Sequence, residues 1–167
     1  KAFMRAPVQF SRISSRFNLS RRHPVLNRIR AHKGVDYAAA TGTRVRAAGE
    51  GRVRFAGRQG GYGNVIELEH GSGVVTVYGH LSRFASKLRR GQRVDLGQVI
   101  GYVGSTGLAT GPHLHYEYRV RGVHKNPQTV ALPDAEPILA SERDRFMTAT
   151  ADLVNIIDFP GPLLVAR

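Results

Sequence analysis

Three short stretches of the sequence carry side chains able to hold a metal or move a proton. "HKGVD" contains His32 and Asp36, "VYGHLS" contains His80, and "GPHLHYEYR" contains His113, His115 and Glu117. In a strand, residues i and i+2 point the same way. His113, His115 and Glu117 therefore share one face, and Leu114, Tyr116 and Tyr118 take the other. Two imidazoles and one carboxylate form a donor set of the kind that holds hydrolytic zinc and leaves a fourth position for water. Such nitrogen and oxygen donors suit zinc better than calcium or magnesium. His32, Asp36 and one of His113 and His115 complete the set. Spacing does not choose between the last two, and a strand H-x-H can also give both to one metal. The remaining imidazoles suit proton transfer and transition-state stabilisation near neutral pH. His23, His70 and His124 read as structural.

The "HKGVD" spacing constrains the backbone. In a straight strand, positions i and i+4 lie about 13 Å apart, too far for ligand bonds of about 2 Å to one ion. The chain must turn between His32 and Asp36, and Lys33-Gly34 is the place for it.

The elements around these residues read as strands. From Gly34 to Val130, glycine is frequent and β-rich runs follow one another. "GRVRFAG" alternates, with Val53 and Phe55 expected on one face. "NVIELEHGSGVVTVYGH" reads as a hairpin around His-Gly-Ser-Gly. "QVIGYVG" is a further strand, and "HLHYEYRVRGVHKNP" turns near Arg121-Gly122. Several short strands at this spacing suggest an all-β sandwich or barrel, and a mainly β, sandwich-like domain is expected. "GTRVRAAGEGRVRFAG" and "GQRVDLGQVIGYVG" echo one another, which suggests two similar hairpin corners.

The ends differ from this middle. Residues 1–23 read as an irregular basic arm packed on the domain's edge, bounded by Pro24. Residues 24–132 form the domain. Residues 133–167 form an extension with one short helix. Ser141 resembles a helix cap before Glu142 and Asp144. Phe146, Thr150, Leu153, Val154 and Ile157 follow at helical spacing. The helix is expected to pack on the β domain and to stop before Pro160 and Pro162.

Composition limits the chemistry. With no cysteine among 167 residues, disulfide frameworks, thiolate metal sites and cysteine nucleophiles are excluded. The apolar fraction of 41% is that of a globular chain, and no run is long enough to span a bilayer as a helix. The net charge of +13 favours a polyanionic partner. Residues 1–35 hold nine Lys and Arg and no acid, without the aromatic ladder or recognition-helix pattern of a nucleic-acid binder. The chain starts at Lys1 without a signal-peptide pattern, and the expectation is a piece of a longer exported protein.

"HKGVD", "YGHLS" and "TGPHLHYE", in this order, resemble the lysostaphin/LytM-type zinc metallopeptidases. The likeness covers about Pro24 to Val130 and includes "GTRVRAAGEGRV", "GYGN", "GQRVDLGQVIGYVGSTG" and the "NP" after the last hairpin. It implies an antiparallel β fold with an open groove over one zinc ion per chain. It implies His32, Asp36 and His115 as ligands, His113 as general base, and His80, protonated or donating, as partner of the oxyanion. Glu117 is expected to orient a histidine by accepting its hydrogen bond. The glycines in Gly101–Gly111 are expected to admit a peptide close to the backbone. The family cleaves peptidoglycan peptides, and this sequence looks most like the Gram-negative endopeptidases that cut D-alanine–meso-diaminopimelate cross-links. That implies a periplasmic or cell-envelope location, with an anionic wall polymer or an adaptor protein as further partners. The alternatives are a glycine-bridge endopeptidase and a non-catalytic wall-binding or amidase-activating module. A carrier domain would need a modifiable lysine at a hairpin tip, and none is present.

Overall fold

The computed structural model describes residues 2–20, 31–133 and 140–158. Pro24, Pro160 and Pro162, and the side chains of Leu153, Val154 and Ile157, lie outside the described residues. Among the described residues, ten strands follow in chain order: β1 (Arg12–Ser15), β2 (Val35–Ala38), β3 (Arg44–Arg46), β4 (Gly51–Gln59), β5 (Gly63–Glu69), β6 (Val74–Phe84), β7 (Arg93–Val94), β8 (Val99–Val103), β9 (His113–Val120) and β10 (Val123–Lys125). They pair antiparallel in the order β1-β2-β9-β6-β5-β4-β7, with β10 on β9 and with β8 bridging β3 and β6. The chain divides into two compact units, Lys1–Asp134 and Ala135–Arg167. The second contains one helix, α1 (Ala140–Asp158). It starts at Ala140, so Ser141 lies in its first turn rather than before it.

Burial explains the alternation of β9. Leu114, Tyr116 and Tyr118 are 0–1% exposed. Leu114 and Tyr116 join a core that takes Val35 and Tyr37 from β2, Val45 from β3, Ile66 and Leu68 from β5, and Ile100 and Val103 from β8. The opposite face of β9 is left free to carry His113, His115 and Glu117.

β4 departs from the expected pattern. Val53 pairs with Leu68 but Phe55 pairs with Glu67, so Arg54 is an extra residue in the ladder. One inserted residue sends the following side chain to the other face. Val53 therefore joins the main core, whereas Phe55 packs against Val65, Val75 and Val77 on the other side of the sheet.

The two echoing segments pair crosswise. β3 of the first pairs with β8 of the second, and β4 of the first pairs with β7 of the second. The arm is also more regular than the sequence suggests. β1 pairs with β2, Phe3 and Val8 bridge to Gly49 and Val45, and Val8 is 5% exposed in the core. Burying one valine contributes roughly 1.5 kcal/mol or more, which helps hold a polar segment against the sheet.

Candidate metal centre

β2 and β9 bring the first residues together. Asp36 is in register with His115, and Ala38 with His113. The turn required in "HKGVD" is present: the chain bends at Gly34 just before β2. Only glycine fits there. A Cβ at Gly34 would stand 2.6 Å from the Tyr116 carbonyl oxygen and 2.7 Å from His115 Cε1.

Three donor atoms converge on this corner. Asp36 Oδ1 lies 2.7 Å from His115 Nδ1 and 3.1 Å from His32 Nε2, and the two nitrogens are 3.3 Å apart. Ligands bound at about 2.0–2.1 Å around a tetrahedral ion are separated by roughly 3.3 Å. The spacing of the three atoms is thus close to that of a zinc site, and the N,N,O donor set suits the same ion. Among the described residues, His32, Asp36 and His115 are the group able to hold a metal. His113 Nε2 stands 3.8 Å from Asp36 Oδ1.

Each of the four histidines is fixed by its outward nitrogen. His32 Nδ1 donates to the Arg16 carbonyl at 2.8 Å, His80 Nδ1 to the Thr106 carbonyl at 2.8 Å, and His113 Nδ1 to the Gly111 carbonyl at 2.8 Å. A carbonyl only accepts, so Nε2 of His80 and of His113 is left with a lone pair in the neutral ring. His115 is turned the other way: its Nε2 donates to Glu117 Oε1 at 3.0 Å, which leaves Nδ1 to Asp36 and an ion.

His80 is held in an unusual backbone. The first half of β6 pairs with β9 as far as Gly79, and the second half pairs with β8 from Leu81. His80 falls at this change of partner, with φ of 60°. A non-glycine residue in the left-handed region is strained, and such strain concentrates at functional sites. The bulge brings the His80 ring to 4.7 Å from that of His113, between centroids.

Electrostatics follow from burial and contact. Burial opposes the charge of Asp36, yet bonds from His115 and His32 hold its carboxyl well below the usual carboxylate range. Burial also opposes charge on His115, but Asp36 and Glu117 outweigh it and raise this imidazole to about 9 in the metal-free protein. His80 lacks such a carboxylate bond, and burial pushes its pKa down. It therefore rests neutral, with a lone pair rather than a proton toward the groove.

Behind the site, Glu117 is 1% exposed and fully engaged. Tyr62 Oη donates to Oε1 at 2.8 Å, Arg119 Nε donates to Oε2 at 2.8 Å, and His124 Nε2 lies 3.2 Å from Oε2. Burial and the contact with Glu117 raise the Tyr62 phenol to about 12, so it keeps its proton. Sequence reasoning missed Tyr62, Arg119, Thr106 and Arg16 as supports. Arg119 is the next residue on the face of His113, His115 and Glu117, and extending that alternation would have found it.

The groove over these residues has a volume of about 870 Å³, with Ser14, Ser15, Lys33, Tyr62, Leu108 and Thr110 among its walls. Two glycines of the Gly101–Gly111 stretch stand where other parts of the chain leave no room for a side chain, whereas a Cβ at Gly111 would meet open space. A Cβ at Gly104 would lie 2.4 Å from Ser82 N, and one at Gly107 2.4 Å from Gly63 N. The approach at Gly107 brings the loop that ends in His113 against the "GYGN" turn, and the one at Gly104 sets the start of that loop against β6.

An N,N,O cluster in an open groove of an antiparallel sheet, with two further imidazoles facing it, is the arrangement of a metal-dependent hydrolase. The comparison with known proteins gives the family: the chain belongs to Peptidase family M23, which residues 30–127 match. It is 42% identical over its whole length to Peptidoglycan DD-endopeptidase ShyC of Vibrio cholerae, covering 38% of that protein. It is 52% identical over 130 residues, 78% of the chain, to DD-carboxypeptidase/endopeptidase Mpg of Neisseria meningitidis, covering 29% of it. The chain thus spans less than two-fifths of the length of these relatives. Among solved structures, a zinc containing peptidase from Vibrio cholerae superposes with a TM-score of 0.75 at 38% identity, over 80% of this chain and 41% of that one. The catalytic domain of lysostaphin from Staphylococcus simulans gives 0.60 at 30% identity, over 70% of this chain and 89% of that one.

Proposed function

We propose that this chain is a zinc-dependent peptidoglycan endopeptidase that hydrolyses D-alanine–meso-diaminopimelate cross-links in the periplasm or cell envelope. The observation that carries the reading is the convergence of His32 Nε2, His115 Nδ1 and Asp36 Oδ1 at zinc-like spacings. The family and the relatives named as DD-endopeptidases support the substrate. On this reading residues 24–132 are the catalytic domain, 1–23 the arm that supports it, and 133–167 an extension.

His32, Asp36 and His115 would hold the ion, and Glu117 fixes the His115 ring by accepting from Nε2. Bound zinc lowers the pKa of water and polarises a carbonyl. His113, through its Nε2 lone pair, accepts the proton of the attacking water. His80, once protonated, donates from Nε2 to the oxyanion. Proton transfer then returns the proton to the departing amine. The basic surface offers an anionic wall polymer an electrostatic foothold. An adaptor protein is a further partner on this reading.

The test is digestion of cross-linked muropeptides by the zinc-loaded chain, with mass analysis. Dimers are expected to become monomers while glycan strands stay intact. Release of disaccharides, or cleavage of glycine bridges alone, would reject the assignment.

A further inference from the structure

Lys33 holds a position that the chemistry above leaves unused. It lies between the proposed ligand His32 and the bend at Gly34, is exposed, and lines the groove. Among the described residues it is the one lysine or arginine in the groove wall, and it makes no ion pair there. The neighbouring cation differs: Arg119 is committed to Glu117 and Glu67. The groove's carboxylates are committed as well, Asp36 to His32 and His115, and Glu117 to His115, Tyr62 and Arg119. An unpaired ammonium beside a hydrolytic centre whose own acids are occupied is matched to an anion that arrives with the substrate.

The proposed cross-link supplies such an anion at a fixed place. Its scissile amide joins the D-alanine carbonyl to an amino group of diaminopimelate. The carbon bearing that nitrogen also bears a free carboxylate, two bonds from the nitrogen that cleavage releases. A glycine bridge has no charge at this point. We propose that Lys33 is a specificity-determining residue that binds the carboxylate next to the scissile nitrogen, and so selects diaminopimelate cross-links over neutral bridges. The inference rests on the endopeptidase reading given above. It adds to that reading the group that distinguishes one peptidoglycan chemistry from another. A charge-assisted contact of this kind is stronger than a neutral one, and the ammonium of lysine serves as a point charge that a single carboxylate can meet.

The experiment uses the zinc-loaded full chain and two muropeptide dimers that differ only in this carboxylate, free in one and amidated in the other. For the unaltered protein kcat/KM is expected to be about 10- to 100-fold higher on the free carboxylate, the range of a hydrogen bond to a charged group. In Lys33→Gln the ratio should collapse toward one through loss on the free substrate, carried mainly by KM. Lys33→Arg keeps the charge and should retain most of the preference. Zinc content and far-ultraviolet circular dichroism of each variant establish that site and fold are intact. A Lys33→Gln variant that keeps the original ratio overturns the role of Lys33 while leaving the endopeptidase reading in place. An unaltered protein that cleaves both dimers equally overturns it too. A zinc-loaded protein that cleaves neither dimer overturns both.

Discussion

Asp36 and His115 face one another across the β2–β9 ladder, and their side chains meet at 2.7 Å. His32 reaches the same carboxylate oxygen from the far side of the Gly34 bend. The three are expected to behave as one unit. His32→Ala, Asp36→Ala and His115→Ala should each lose zinc, activity and the stability that bound metal adds. His80→Ala and His113→Ala should keep zinc and fold, yet turn over about 10²–10⁴-fold more slowly. Metal analysis and muropeptide turnover on all five variants check this. Loss of metal from His113→Ala with retention in His115→Ala would reverse the assignment.

Glu117→Gln tests the support behind His115. An amide can still accept from Nε2, but it carries no charge to hold the ring or to offset Arg119. Removing such a partner typically lowers metal affinity about 10- to 100-fold. Competition with a chelator of known strength measures it. An unchanged affinity would show that Glu117 serves the fold alone.

The raised pKa of His115 links pH to stability in the metal-free protein. Its folded value of about 9 exceeds the ordinary imidazole value of 6.5. The contribution is therefore fully present below about pH 6.5 and is lost as pH rises through about 9. Its size is on the order of 3 kcal/mol. Denaturant midpoints of the metal-free chain should fall between pH 7 and 9.5. Zinc needs the neutral ring, so loading at pH 7 should release a proton, detectable in weakly buffered solution. Metal uptake without proton release at that pH would contradict the ion pair.

Gly34→Ala should disturb the site from behind. Its Cβ would press on the Tyr116 carbonyl and the His115 ring, so that one or the other must shift. Overpacking of this kind costs about 1–3 kcal/mol, and the displaced imidazole should weaken zinc binding as well. Thermal melts with and without zinc separate the two effects. A variant of native stability and affinity would mean that the bend can open.

Much of the site was legible because it depends on short-range rules. The period of two placed His113, His115 and Glu117 together, and bond lengths demanded the bend in "HKGVD". Features that depend on ladder partners were not legible. Nothing local in "GRVRFAG" marks Arg54 as a bulge, so Phe55 went to the wrong face. Nothing in "YGHLS" shows that β6 changes neighbours at His80 and forces its left-handed backbone. The Arg16 carbonyl that fixes His32 was invisible for a different reason: a backbone acceptor leaves no trace in residue type.

The arm has a consequence for dissecting the molecule. Arg16, whose carbonyl fixes the His32 ring, and Asn18, whose backbone exchanges two hydrogen bonds with His32, lie before residue 30, where the family match begins. Strand β1 also covers the outer edge of β2. A fragment cut to the matched residues would keep the ligand side chains, yet it would present bare β2 backbone to any other strand in solution. Open edges of that kind template self-association, so the stretch that keeps this sheet closed and the His32 ring fixed is longer than the family signature.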